Sequence, residues 1–365
     1  MKKSLFFDKL LLLLAALSLL LGGVGLTFFP AARFSAAENR NLAAFPAFTL
    51  ASLTNGSYTA ALDRYAAERF PARPLLRALY AVGELSLGKR EVRGVILCRD
   101  GSLLRRIPTD EVAFSQNITA IRQLCGNASV PFKVAIVPRR IDARAALLPA
   151  LYQSTEEAGA WATLPQEWCC LAGGTEDAQW FRTDHHWTAD GAYYAYVQLA
   201  RSLGYTPLAA SEFSRVCVSE DFLGTTDAAA GIPGVTPDRI TLYLRGDEAE
   251  YRVLRDGVPA PFEGFYDMEK LTQRDQYAVF LGGNCGVCEV TQGEQDTRPQ
   301  LVVIRDSFAC ALLPFLARHF RIFAIDPRYA RFADKEVLAA ADAALLLCGL
   351  QTLTEGRFLA PAGSR

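Results

Sequence analysis

Histidine is nearly absent from this chain. Only His185, His186 and His319 occur in 365 residues, and two of them are adjacent. That scarcity confines any imidazole chemistry to very few places and leaves no histidine-rich metal site. A surplus of charge is missing as well. The 38 basic and 39 acidic side chains leave a net charge of −1. No basic excess exists to neutralise a phosphate backbone, so a dedicated nucleic-acid binder is disfavoured. Internal repeats and low-complexity tracts are also lacking. With 51% hydrophobic and 21% charged residues, the composition is that of a packed core and not of a disordered chain. The length suffices for one large domain or two modest ones.

One stretch lacks charge altogether. Leu10 to Phe29 is an apolar run of about 30 Å if helical, the thickness of a hydrocarbon core. Lys2, Lys3 and Lys9 precede or open it against a single Asp8. Residues 1–30 therefore read as a single-pass signal anchor with a cytoplasmic N-terminus and everything after it extracytoplasmic, at the cell membrane. A cleaved signal peptide has a shorter apolar region, and the small residues Ser35-Ala36-Ala37 lie well past the end of this one, so the anchor is expected to stay uncut.

The cysteines number nine, an odd count: Cys98, Cys125, Cys169, Cys170, Cys217, Cys285, Cys288, Cys310 and Cys348. Most sit in apolar runs, where a thiol behaves as a small buried hydrophobe. Cys285 and Cys288 form one C-x-x-C pair. Zinc needs a second pair or nearby histidines, and the extended look of Glu289-Val290-Thr291 does not suit a redox pair opening a helix, so incidental burial is expected. An exported chain can hold one or two disulfides, but the spacing assigns none.

Residues 31–55 read as a connector, 56–352 as a globular domain and 353–365 as a flexible tail. Apolar spacing over Tyr58 to Leu87 predicts two helices separated by Pro71 and Pro74. Asp100-Gly101 between apolar runs predicts a hairpin over Val95–Leu104. Thr109–Leu124 and Thr188–Leu203 read as helices, the latter with Thr188 at its N-cap and Gly204 at its end. Strands are expected at Phe132–Val137, Ile240–Leu244 paired with Tyr251–Leu254, Tyr277–Leu281, Leu301–Ile304, Arg321–Ile325 and Ala343–Leu347. Helices are expected at Ala309–Phe320 and Val337–Ala341. Unbroken apolar strands alternating with helices indicate an α/β fold of three layers with a mostly parallel sheet.

Three segments carry candidate chemistry. In Thr183-Asp184-His185-His186-Trp187-Thr188 a carboxylate can hold one imidazole nitrogen and fix its tautomer, leaving the other to take a proton from a hydroxyl. Val302 to Ala309 turns from a strand into a helix through Arg305-Asp306-Ser307-Phe308. That turn offers Ser307 beside unpaired helix N–H groups, although Asp and Ser are also ordinary caps. Leu281-Gly282-Gly283-Asn284 offers close backbone approach and an amide suited to an oxyanion, or simply a turn. All three are expected at the carboxyl ends of strands, where open α/β sheets form their sites.

These segments resemble the bacterial DHHW protein family. The resemblance runs through Glu38-Asn39-Arg40, Phe70-Pro71-Ala72-Arg73, Asp184-His185-His186-Trp187, Phe280 to Asn284, Asp306-Ser307-Phe308 and Ile325 to Tyr329. That family is similar to the SGNH-hydrolase-like domains of alginate and exopolysaccharide O-acetylation proteins. The resemblance implies an SGNH-like fold and an acyl-ester enzyme, an O-acetyltransferase or acetylesterase on cell-surface or secreted polysaccharide. It implies Ser307 as nucleophile, His186 as base in preference to His185, and Asp184 as the base's holder. The N–H of Ser307, with Gly283 and Asn284, is expected to hold the oxyanion, and Trp187, Arg305 and His185 are the expected substrate contacts. Arg305 stands where many SGNH enzymes have glycine. No metal or organic cofactor is called for, and a transferase would need a partner such as a multi-pass membrane acyltransferase to supply acetyl groups. The rival is a non-catalytic glycan-binding or scaffold protein of the cell envelope, stacking sugars on Trp187, Tyr193, Tyr194 and Tyr196. A metal on Asp184, His185 and His186 is a third reading, weakened by the poor chelate that adjacent histidines make and by His319 being the only other imidazole.

Overall fold

The computed structural model describes residues 33–35, 38, 40–70, 72–152, 159–171, 177–293, 295–331 and 338–359, with short stretches between 7 and 25. Ala36, Ala37, Asn39, Pro71 and Val337, all used above, lie outside the described residues, as does much of the apolar N-terminal run. No helix among the described residues is long and apolar enough to cross a membrane. The chain divides into two compact units, residues 1–88 with 231–233, and residues 89–230 with 234–365. The helical pair expected over 58–87 thus falls in the first unit.

In the first unit, helices form over Ser57–Arg69 and Arg73–Ser86. Pro74 sits in the first turn of the second, where its missing N–H costs nothing. Two of the resemblance motifs meet here. The Glu38 carboxylate receives Arg73 at 2.7 Å and Arg77 at 3.0 Å, an ion-paired clasp between segments 35 residues apart in the chain. Leu75, Leu79 and Val82 are exposed on the second helix.

The second unit is a mixed α/β fold built on an eight-stranded sheet. Its strands are β1 (Phe132–Val137), β2 (Cys169–Cys170), β3 (Arg252–Arg255), β4 (Val258–Pro259), β5 (Val287–Thr291), β6 (Gln300–Arg305), β7 (Arg321–Ile325) and β8 (Ala343–Gly349). Their order is β4-β3-β5-β7-β6-β8-β1-β2. The pairings β7–β6, β6–β8, β8–β1 and β1–β2 are parallel, whereas β5, β3 and β4 add an antiparallel edge.

Period-two alternation along the parallel strands divides their side chains between two cores. Val134, Ile136, Val302, Ile304 and Leu346 pack with Phe114, Ile121 and Leu124 of α1 (Glu111–Asn127). Ala135, Val137, Leu301, Val303 and Leu345 pack on the other face with Ala192, Ala195 and Leu199 of α2 (Ala189–Leu203). Each fully buried leucine contributes about 1.5–3 kcal/mol, so neither helix layer is dispensable. Both helices are capped as their sequences dictate. Asp110 accepts two backbone N–H groups at 3.0 Å, and Thr188 caps α2 while Gly204 ends it in the left-handed region.

Several expectations need correction. Tyr277–Leu281 is no strand. Residues 276–279 form a single 3-10 turn, and Leu281, Gly282 and Gly283 all have positive φ. An apolar run of this length does not by itself distinguish a strand from a buried turn. Residues 238–244 pair with a ribbon strand at 214–222, not with Tyr251–Leu254, which joins β5 instead. The fold also extends past residue 352, because Leu353 and Phe358 are buried.

Candidate functional site

The site forms where β6 ends. Asp306 and Ser307 carry the chain from β6 into α4 (Ala309–Leu316). The Asp306 carboxylate is spent on this turn, accepting the N–H of Phe308 at 3.0 Å and of Gly349 at 2.7 Å and the Thr352 hydroxyl at 2.6 Å. It is buried and structural, the capping function that its residue type suggests. The Ser307 hydroxyl does otherwise and lies 2.8 Å from His186 Nε2.

His186 Nδ1 lies 2.5 Å from Asp184 Oδ1, which also accepts the His186 backbone N–H at 2.9 Å. This arrangement puts the imidazole proton on Nδ1 and the lone pair on Nε2, facing Ser307. The other Asp184 oxygen accepts the N–H of Thr225 at 2.6 Å and its hydroxyl at 2.8 Å. Burial alone would raise the Asp184 carboxyl, but His186, His185 and these hydrogen bonds outweigh it and hold it well below the usual carboxylate range. His186 is further clamped by the Tyr277 ring, stacked on it at 3.9 Å and nearly parallel.

His185 lies outside this chain of bonds, with Nδ1 at 2.7 Å from the Thr225 hydroxyl. Burial and the neighbouring His186 push it down to about 3, so it is neutral at ordinary pH. Asp184, His185 and His186 are the one group of potential metal ligands among the described residues, with donor atoms within 4.8 Å of one another. Their donors are already shared with Thr225 and Ser307.

The other expected site residues divide. Trp187 is buried and donates its indole N–H to the Phe308 carbonyl at 3.0 Å, so it braces the nucleophile turn and offers sugar no face. Tyr196 is buried too, while Tyr194 is exposed. Arg305 is 1% exposed and turned into the protein, which removes it as a substrate contact. Gly283 gives its N–H to the Phe280 carbonyl at 3.0 Å and has none left for an oxyanion. Asn284 is exposed, and its side-chain oxygen accepts Arg305 Nη1 at 3.4 Å. The Ser307 N–H has no partner among the described residues, which leaves it as a donor for developing negative charge. Of the three segments, only the Ser307 turn lies at the carboxyl end of a sheet strand.

Thr225, Gly224, Asp238 and Tyr277 escaped the sequence reading. Asp238 takes the N–H groups of Arg182 and Thr183 at 2.7 and 2.8 Å and the Thr183 hydroxyl at 2.6 Å, fixing the entry to Asp184. Glycine followed by threonine at the start of the short helix α3 (Thr225–Ala230) was the one available signal, since it is an ordinary helix-entry pair. A Cβ on Gly224 would sit 2.7 Å from Asp184 Cγ. Gly224→Ala is therefore expected to displace the carboxylate, costing about 1–3 kcal/mol of stability and most of any turnover that depends on His186. Thermal unfolding and ester turnover measured together check it, and unchanged values for both would show that Asp184 has room to move.

The second unit is thus an α/β fold carrying a hydroxyl–imidazole–carboxylate relay. Residues 171–325 match the family model described as DHHW protein, which bears out the resemblance over that span. The fold is shared with a DHHW family protein from Eubacterium siraeum DSM 15702, at 19% identity and a TM-score of 0.57 over 72% of this chain and 93% of that one. It is shared as well with Bacillus cereus PatB1, at 19% identity and a TM-score of 0.58 over 73% of this chain and 98% of that one. The PatB1 structure with a sulfonyl adduct matches at 20% identity and a TM-score of 0.56, covering 72% and 98%. No curated protein matches the sequence significantly.

Proposed function

We propose that this chain is an acyl-ester enzyme, an O-acetyltransferase or acetylesterase acting on cell-surface or secreted polysaccharide. The observation that carries the reading is the unbroken line of hydrogen bonds from Asp184 through His186 to Ser307, 2.5 and 2.8 Å long. The family match supports it.

In this reading Ser307 Oγ attacks the acetyl carbonyl carbon as its proton passes to His186 Nε2. Asp184 stabilises the imidazolium, and the Ser307 N–H receives the oxyanion. Collapse expels the donor's alkoxide, which takes the proton from His186 and leaves an acetyl group on Ser307. A sugar hydroxyl or water then gives its proton to His186 and attacks the acetyl carbonyl carbon, expelling Ser307 Oγ, which takes that proton back; a sugar acceptor makes the enzyme a transferase and water an esterase. The uncharged run from Leu10 to Phe29 supports an anchor at the cell membrane with this unit extracytoplasmic. Acetyl groups would then have to be delivered across the membrane, the role of a multi-pass acyltransferase partner.

The test is covalent. A phenylmethylsulfonyl fluoride probe should add one sulfonyl group, located on Ser307 by peptide mass spectrometry, at a rate that collapses in His186→Ala. Absence of labelling on Ser307 in folded protein would remove the nucleophile from the proposal.

A further inference from the structure

Beside the nucleophile turn, thiols gather around a buried cation. The Arg305 guanidinium reaches Cys285 Sγ and Cys310 Sγ at 3.4 Å each, the Cys285 carbonyl at 3.3 Å and Asn284 Oδ1 at 3.4 Å. Its buried Nε has no partner, and no carboxylate hydrogen-bonds the group among the described residues. A cation this deeply buried needs an anion against it. Asp326, which acts on Arg305 through space, gives its carboxylate to Arg328 instead, at 2.9 and 2.7 Å. The sulfurs are the groups in direct contact.

Cys285 is the sulfur best placed to carry the charge. Arg255 lies opposite Cys288 in the β3–β5 pairing and holds the Asn284 carbonyl at 2.9 Å, bringing a second guanidinium to the same sulfur. The thiol of Cys288, three residues further on in the C-x-x-C, hydrogen-bonds to Cys285. That bond, with Arg305 and Arg255, outweighs burial and lowers Cys285 to about 6. The same bond pushes Cys288 up, and burial pushes Cys310 up. The charged and titratable groups facing Cys285 are therefore Cys288 from β5, Arg255 from β3, Arg305 from β6 and Cys310 from α4.

We propose that Cys285 and Cys288 are a redox-active dithiol, with Cys285 as the attacking thiolate and Cys288 as the resolving thiol, and that its co-reactant is a disulfide. Cys285 sulfur attacks one sulfur of that disulfide, forming a mixed disulfide and expelling one thiolate. Cys288 sulfur then attacks Cys285 sulfur, its proton leaving with the second thiolate. The dithiol loses two electrons and two protons, and the co-reactant is reduced to two thiols. Neither step depends on the ester chemistry.

The full chain, fully reduced, would be pulsed with iodoacetamide across a pH series and each cysteine followed by peptide mass spectrometry. Cys285 alkylation should have its midpoint near pH 6, against about 8.5 for an ordinary thiol. In Cys288→Ala the midpoint should move up by at least one pH unit. Oxidised glutathione should link Cys285 to Cys288 in the wild type, with loss of two hydrogens, and leave a persistent glutathione adduct on Cys285 in Cys288→Ala. An ordinary thiol midpoint for Cys285, or glutathione treatment that leaves the two residues unlinked in the wild type, would overturn the proposal.

Discussion

Replacing Ser307 by alanine is expected to lower turnover of a chromogenic acetyl ester by roughly four orders of magnitude, and His186→Ala by a similar factor. The double variant should be hardly worse than either single one. In the proposed mechanism the two side chains act in one proton transfer across the 2.8 Å that separates them. Once either is gone, the other has nothing to donate to or accept from. Additive losses would mean that the two residues work separately. Rates unchanged from background in all variants would remove simple ester hydrolysis. Folding of Ser307→Ala is expected to hold, because Ser307 Oγ bonds to no backbone group among the described residues and α4, the helix after it, is buried along its whole length.

Asp184→Asn should cost about 10^4-fold in kcat while barely changing size. The carboxylate accepts four hydrogen bonds, two from His186 and two from Thr225. An amide presents one donor end, so whichever way it turns, two N–H or O–H donors face its NH2. Turned so that the NH2 meets His186 Nδ1, it makes that nitrogen the acceptor and moves the ring proton to Nε2, where the imidazole no longer accepts the Ser307 proton. The same substitution alters the response to acid. Asp184 ionises well below its unfolded value, which for aspartate is about 3.9. Its contribution to stability is therefore fully present above that value and lost as pH falls through the folded one. Thermal unfolding of wild type between pH 5 and pH 2, within roughly the range where aspartates titrate, should fall more steeply than that of Asp184→Asn. Parallel curves would show that Asp184 ionises normally.

Much of the central sheet was legible locally. Phe132–Val137 and Arg321–Ile325 occur as strands at the expected residues, and α2 begins and ends at its expected caps. Those elements declare themselves through short-range rules: unbroken β-rich apolar runs, a threonine cap, a terminal glycine. The stretch 277–281 did not, because its hydrophobicity reports burial and not backbone conformation, and it runs into three consecutive positive φ values at Leu281, Gly282 and Gly283 that no apolar pattern encodes.

The sequence by itself determined the residue types and the order of Asp184, His186 and Ser307, and the scarcity of histidine limited the base to two adjacent candidates. The resemblance favoured His186, and only the tertiary structure shows which of the two rings reaches Ser307. The two rings lie against each other with centroids 3.8 Å apart, yet one imidazole meets Ser307, 121 residues away, and the other meets Thr225. It also turned Trp187 and Arg305 inward and used up the Gly283 N–H, and it supplied Thr225 to the carboxylate from an element 41 residues away. Such contacts are set by packing between distant segments, and no local pattern of apolar or polar residues encodes which side chain arrives from the far side of a core.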